Sequence, residues 1–258
     1  MSRPVVLITG ASKGIGLAVT TSLLEEHRAL VVALSRSTTP ELNQLCDRHG
    51  SSLLSVECDV TDEDGQSRAI TLAQTTFNRI DALVLNAGTL DPLGRIDNPE
   101  ITLDAWKRHF DINVFSLVGA IKASLPALRS CPNGGKVIFI SSGAATGNTP
   151  GWAAYNAGKA AMNSLARTLA KEEPQIVSLA LAPGKVDTAM QASLRSSGAA
   201  HMTEADHKIF VDAYEKGTLV KPHDVGYVIA GLALRAPISL SGSFVRWDSE
   251  ECKEFRRN

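Results

Sequence analysis

Short runs rich in valine, isoleucine and leucine recur along the chain, with longer segments of helical period between them. Val5–Thr9, Leu30–Ser35, Leu53–Cys58, Ala82–Leu85, Lys136–Ser141 and Val177–Ala182 carry apolar residues without polar alternation. A strand with one wet face alternates, so these runs predict strands buried on both faces of a parallel sheet. Gly242–Trp247 is a candidate seventh. Between them, Ile15–His27, Pro40–His49, Asp62–Phe77, Leu103–Leu128, Trp152–Glu172 and His223–Leu234 read as helices. This alternation implies right-handed βαβ units and helices on both faces.

The expectation is therefore an α/β fold, a doubly wound Rossmann-type parallel sheet of about seven strands. No linker, repeat or low-complexity stretch divides it, so residues 1–258 read as a single domain. Ala189–Lys221 alone breaks the rhythm, with the Ser-, Gly- and Ala-rich Ser193–Ala200 followed by an amphipathic Glu204–Tyr214. It reads either as a lid over the carboxyl edge of the sheet or as a plain surface excursion.

Composition narrows the chemistry mainly by exclusion. Hydrophobic residues at 44% and charged residues at 21% are ordinary globular values, and 258 residues can bury a core without disulfide or metal. A net charge of -1 without basic runs argues against nucleic acid and anionic membrane as partners. Cys46, Cys58, Cys131 and Cys252 form no CxxC pair, and the six histidines are scattered. No metal site is expected, and the cysteines read as free thiols in a reducing compartment. Met1 to Pro4 leads straight into the first strand without a signal-type pattern, and no apolar run has the length of a membrane span. The expected location is cytoplasmic. Lys253, Arg256 and Arg257 read as a solvated tail.

Thr9-Gly10-Ala11-Ser12-Lys13-Gly14-Ile15-Gly16 follows the first strand and opens the first helix. A phosphate-binding turn needs glycines where backbone approaches a pyrophosphate, with a helix N-terminus aimed at the anion. The spacing is GxxxGxG rather than the general GxGxxG. Where an NAD site places a carboxylate, roughly 20 residues past the glycines, this chain has Ser35-Arg36 and no acid nearby in sequence. An arginine fork suits a 2′-phosphate, and Lys13 adds a second cation, so NADP(H) is the expected cofactor. The competing reading keeps Arg36 and Lys13 as solvated surface charges.

Tyr155 and Lys159 stand four apart in a helical segment, so phenol and ammonium share one face. The neighbouring ammonium, aided by an oxidised nicotinamide, is expected to lower the phenol pKa. The pair alone is an ordinary surface motif; its context decides. The glycine turn resembles that of the short-chain dehydrogenase/reductase family, and the resemblance extends over nearly the whole chain. It implies that Asp59 and Val60 hold the adenine, that Asn86, Ala87 and Gly88 support the sheet beside the cofactor, and that Pro183, Gly184, Val186 and Thr188 approach the nicotinamide end. Ser142, 13 residues before Tyr155, resembles the family serine that orients the substrate carbonyl, with Ser141 its competitor. Asn113 resembles the family asparagine that distorts its helix and binds a water leading to Lys159.

The implied reaction is NADPH-dependent reduction of a carbonyl, with Tyr155 as proton donor. Ala182–Gln191 and Tyr155–Asn163 are similar to benzil reductases and the related sepiapterin reductases. Trp152 and Met190 are candidate substrate contacts, with Met202 beside them, and ordinary packing is the alternative. A homodimer through the long fourth helix and the alanine-rich fifth is a family-level expectation. Two other functions stay open: an NADP-linked alcohol dehydrogenase, and a nucleotide-sensing protein without chemistry. Against the latter, Asn113, Ser142, Tyr155 and Lys159 are all present.

Overall fold

The computed structural model describes residues 3–257, so Met1, Ser2 and Asn258 lie outside it and the expected lead-in is followed only from Arg3. Among the described residues the strands are β1 (Val5–Thr9), β2 (Leu30–Ser35), β3 (Leu53–Glu57), β4 (Ala82–Leu85), β5 (Lys136–Ile140), β6 (Val177–Ala182) and β7 (Phe244–Arg246). They form one sheet, parallel throughout, in the order β3-β2-β1-β4-β5-β6-β7. The helices are α1 (Gly14–Glu25), α2 (Pro40–His49), α3 (Glu63–Phe77), α4 (Leu103–Phe110), α5 (Ser116–Arg129), α6 (Ala153–Glu172), α7 (Ala189–Ser197), α8 (Glu204–Glu215) and α9 (Pro222–Arg235).

The consecutive apolar residues of the strands serve two cores. Val6, Ile8, Val31, Ile138 and Leu179 face α1, α2 and α9, while Val5, Leu7, Val32, Val137 and Phe139 face α3, α5 and α6. Successive Cβ atoms alternate across a strand, so only an unbroken apolar run can feed both sides. β3 departs from this rule because it is the sheet edge, and Leu54 to Val56 are only half-buried.

Helix starts follow side-chain chemistry. Thr39 and Asp62 accept from the backbone N–H groups of Leu42 and Gly65, at 3.3 and 2.9 Å, and so cap α2 and α3. Asp62 is thus a cap outside the helix it was expected to open, and Trp152 likewise precedes α6. The single helix expected over Leu103–Leu128 is instead α4, a π-turn at Asp111–Phe115, and α5. The interruption falls at Asn113, whose side chain is drawn out to the backbone of Thr89. Leu103–Arg129 contains a stretch long and apolar enough to cross a membrane by length and composition, yet half of that stretch is buried inside the fold. That is the condition of a core helix.

The C-terminal tail is docked rather than free. Cys252 and Phe255 are buried in the first core. Arg257 donates to Glu26 at 2.5 Å and lies 4.8 Å over the Tyr227 ring. Apolar side chains between the charges give this tail surface to hide, which the count of its charges did not convey.

The chain winds through β1, β2 and β3 in one direction and through β4 to β7 in the other. A crevice opens where the direction reverses, at the carboxyl ends of β1 and β4. There the Thr9 hydroxyl accepts from the backbone N–H groups of Asn86 and Ala87, at 3.0 and 3.1 Å. The Asn86 amide returns two bonds of 3.0 Å to the carbonyls of Thr9 and Gly10. Four hydrogen bonds therefore join the glycine turn to the loop after β4.

Candidate active site

The glycine turn has the shape that an anion cradle requires. Gly10 and Gly14 hold φ of 67° and 57°, a region costly to any residue with a Cβ. A Cβ on Gly16 would stand 2.2 Å from the Gly10 carbonyl oxygen. Lys13 precedes α1 without a side-chain cap, and no acid lies in the first turn. By contrast, Thr39, Asp62, Thr102, Thr188 and Thr203 cap their own helices. The first N–H groups of α1 therefore have no side-chain acceptor, which fits the pyrophosphate of a dinucleotide. Ser12 is buried and its carbonyl accepts from the Thr39 hydroxyl at 2.8 Å, while Ile15 packs on the first core.

Arg36 lines a hollow of about 420 Å³ together with Cys58, Asp59 and Arg68. It makes no ion pair or hydrogen bond among the described residues. The sheet register adds what linear spacing did not reveal: Glu57 sits opposite Ser35, so this corner holds acids as well. Asp59 spends one carboxylate oxygen on the Thr61 backbone and hydroxyl, both at 2.9 Å. Val60 is buried beside it, and its carbonyl accepts from the Gln66 amide.

On the other bank, Pro183 and Gly184 turn out of β6 with Gly184 at φ 78°. Val186 bridges to Val220, and the Val220 N–H donates to the Lys185 carbonyl at 2.8 Å. The segment expected as a lid is thus tied at its base, and it contains α7 and α8. Thr188 caps α7, and its methyl would lie 3.3 Å from a Cβ on Gly14. The two banks meet there.

Tyr155 and Lys159 do converge. The Ser142 hydroxyl is near enough to the Tyr155 phenol to act on its titration, and the Lys159 ammonium lies 5.6 Å from the centre of its ring. Ser142 also accepts from the Ala144 N–H at 3.1 Å. Ser141 is spent elsewhere, donating to the Asn163 amide oxygen at 2.6 Å in the buried interior. That separates the two serines that sequence left in competition.

The expected lowering of the Tyr155 pKa is not found in the protein's own groups. Burial pushes the phenol up, against a smaller opposing effect of Ser142. Lys159 donates to the Ile140 carbonyl at 2.7 Å and faces the ring of Tyr155. The same burial brings Lys159 down to about 8.

Asn113 distorts its helix as anticipated, but its side chain is fully committed. Its oxygen accepts from the Thr89 N–H at 2.9 Å and its nitrogen donates to the Thr89 carbonyl at 2.8 Å. Gly88 lies against it, since a Cβ there would come within 2.9 Å of the Asn113 oxygen and 3.9 Å of the Lys159 nitrogen.

Trp152 stands edge-on to Tyr155 at 5.6 Å and packs on Phe210 of α8 at 5.4 Å. With Leu90, Ala144 and Leu194 they form an apolar wall over the phenol, with Met202 packed against it. Met190 is absent from that wall and 38% exposed. Met190 stands in the first turn of α7, whose buried side chains are Gln191 and Leu194. Phe210, Leu194 and His109 escaped the sequence reading. Only His109 left a signal, four residues before Asn113. Among the described residues no group of His, Cys, Asp and Glu is placed to hold a metal, and the four cysteines are free.

Residues 4–199 match the family model described as short chain dehydrogenase. The chain belongs to the short-chain dehydrogenase/reductase family. It is an oxidoreductase of that family, whose members use a nicotinamide cofactor. An uncharacterized oxidoreductase of Schizosaccharomyces pombe is 42% identical over 96% of this chain and 98% of its own length. A Saccharomyces cerevisiae protein named benzil reductase ((S)-benzoin forming) is 35% identical over 95% of this chain and 96% of its own. The crystal structure of a short chain dehydrogenase/reductase from Saccharomyces cerevisiae superposes with a TM-score of 0.93 at 33% identity, covering 98% and 100% of the two chains. These likenesses put this oxidoreductase in the benzil reductase-like branch.

Lys159 makes its stability depend on pH. An unfolded lysine titrates near 10.4 and the buried one at about 8. Between those values the unfolded chain binds more protons, so folding stability rises with pH across that window. Below it the buried charge costs about 3 kcal/mol, less about 1 kcal/mol for its bond to Ile140. In urea denaturation of the nucleotide-free protein at pH 7, Lys159→Met should therefore be about 2 kcal/mol more stable than wild type, with the gap closing by pH 10. A less stable variant with no pH dependence would show that the ammonium is not penalised.

Proposed function

We propose that this protein is an NADPH-dependent carbonyl reductase that acts on aromatic 1,2-diketones of the benzil type. The observation that carries the reading is a buried, protonated phenol beside a serine hydroxyl beneath an aromatic wall. The phenol keeps its proton at neutral pH and so has one to give as general acid in reduction. The relatives named benzil reductase support the diketone class, and Trp152 and Phe210 offer flat apolar contact to its rings.

Bound reduced nicotinamide supplies the hydride. Ser142 orients the carbonyl oxygen by donating to it, which stabilises the developing alkoxide. Tyr155 gives its proton to that oxygen. Lys159 holds the nicotinamide ribose and the Tyr155 side chain in register. Asn113 fixes Thr89, and with it the loop from Asn86 to Gly88, behind the reacting atoms. Gly10, Ser12, Lys13, Gly14, Ile15 and Gly16 cradle the pyrophosphate, Arg36 takes the 2′-phosphate, and Asp59 and Val60 flank the adenine. Pro183, Gly184, Val186 and Thr188 border the nicotinamide, with residues 189–221 as the cover over the substrate. A reducing cytoplasmic setting is part of the same proposal and suits four free thiols.

We also infer a homodimer through the outer face of α4, α5 and the turn between them. Leu103, Phe115 and Val118 are exposed there at 77%, 60% and 37%, and a partner copy would cover these apolar side chains. Phe115→Asp should shift the mass measured by light scattering from dimer to monomer, and a monomeric wild type would refute the assembly.

Two substitutions test the chemistry. Tyr155→Phe should lower kcat for benzil by roughly 10³-fold while NADPH still quenches tryptophan fluorescence on binding. Retained turnover would move the acid elsewhere. Arg36→Ala should weaken NADPH by about 2 kcal/mol and leave NADH nearly unchanged; equal losses would remove the 2′-phosphate assignment. NADPH consumption over a panel of diketones, pterins and aldehydes decides the substrate class.

A further inference from the structure

His109 is fully buried at the end of α4, and no role has been given to it above. Its Nδ1 lies 2.6 Å from the Asp91 carbonyl and its Nε2 lies 2.8 Å from the Asn113 amide nitrogen. The proton positions follow from the network rather than from the ring. Thr89 N–H can only donate, so the Asn113 atom facing it is the oxygen, and the atom facing His109 is the NH₂ group. Nε2 must then be an acceptor. The proton sits on Nδ1, where the Asp91 carbonyl takes it. His109 is therefore held neutral in one tautomer.

Its ring also shapes the catalytic helix. It meets Tyr155 edge-on, with centres 6.3 Å apart and planes at 80°. A Cβ on Gly158, between Tyr155 and Lys159, would fall 2.9 Å from Nε2. The gap in the helix surface at Gly158 is thus filled by this imidazole. One side chain touches the π-turn, the loop after β4 and the Tyr155–Lys159 helix.

We propose that His109 is a positioning residue whose neutral Nδ1–H tautomer locks Asn113 and the Tyr155 ring, and whose protonation releases them. This rests on the reductase reading above. A second proton on Nε2 would face the Asn113 NH₂ group, donor against donor. The Ala154 carbonyl offers that new proton another acceptor, which draws the ring away from Asn113. The charged and titratable groups around the ring are Asp91 on the loop and Tyr155 and Lys159 on α6, while Arg108 and Asp111 on its own helix segment are exposed. Burial first, and then the Lys159 charge, hold its pKa below the ordinary 6.5, against the two backbone carbonyls. Activity is present while His109 is neutral and falls as pH drops through that lowered value. Lys159, at about 8, is already charged there, and Tyr155 keeps its proton, so neither produces an acid limb in that range.

The test uses His109→Phe, which fills the space without either hydrogen bond, and His109→Gln, whose amide oxygen can accept from Asn113 without titrating. With benzil and saturating NADPH, His109→Phe should lose about tenfold or more in kcat with little change in the KM for NADPH, as expected for misplacement of a reacting group. His109→Gln should recover most of that loss and lack the wild-type acid limb below pH 6.5. A folded His109→Phe with wild-type kcat and pH profile, whatever its Tm, would reduce His109 to a packing residue. Nitrogen NMR of histidine-labelled, nucleotide-free protein gives an answer independent of turnover. The Nδ1-protonated tautomer at pH 7 is expected, and the Nε2-protonated one would overturn the proposal. A dead Tyr155→Phe alongside an unaffected His109 pair would leave the reductase reading standing and remove only this one.

Discussion

A lysine ammonium held out of water at the carboxyl end of β5 imposes conditions on everything around it. Lys159 is 4% exposed and has the Ile140 carbonyl, the Met162 sulfur and the face of Tyr155 as neighbours. No carboxylate is placed to neutralise it among these contacts. Removing a charge from water costs several kcal/mol unless it is paired, so the fold must repay the expense elsewhere. It does so with two closely packed apolar cores on a sheet without a wet face. The same desolvation raises the Tyr155 pKa and lowers that of Lys159, so a single cause sets the protonation of both groups.

The surroundings of this pair are held by hydrogen bonds between neutral groups rather than by salt bridges. Asn86 and Thr9 join the glycine turn to β4, Asn113 grips Thr89, and Ser141 anchors to Asn163. Neutral amides and hydroxyls can be buried once their partners are fixed, whereas further charges would compete with Lys159. The ion pairs with the greatest exposure, such as Arg95 with Asp97 and Lys107 with Asp104, lie away from the chemistry and stabilise little.

Parallel strands bring the ends of β1, β4, β5 and β6 to one edge, so residues far apart in the chain share one crevice. The glycine turn, Asn86, Ser142 and Pro183 all follow such strands directly. Their side chains therefore need little further help from packing to arrive at the same place. The cover made by α7 and α8 is different, since it is attached through the Val186–Val220 bridge and through Trp152 against Phe210.

The sheet and its doubly wound class were legible in the local apolar period, and the shared face of Tyr155 and Lys159 in their spacing of four, whereas Ser142 was placed beside them by the family resemblance. Three matters were decided only in three dimensions. The register of β3 on β2 brought Glu57 to the Arg36 corner, and register has no signature within a single strand. The distortion at Asn113 was implied by the resemblance, but its partner, Thr89, 24 residues away, emerged only from the folded chain. Burial reversed the expected direction of the Tyr155 pKa, since desolvation depends on the whole surrounding shell and a neighbour four residues along cannot predict it.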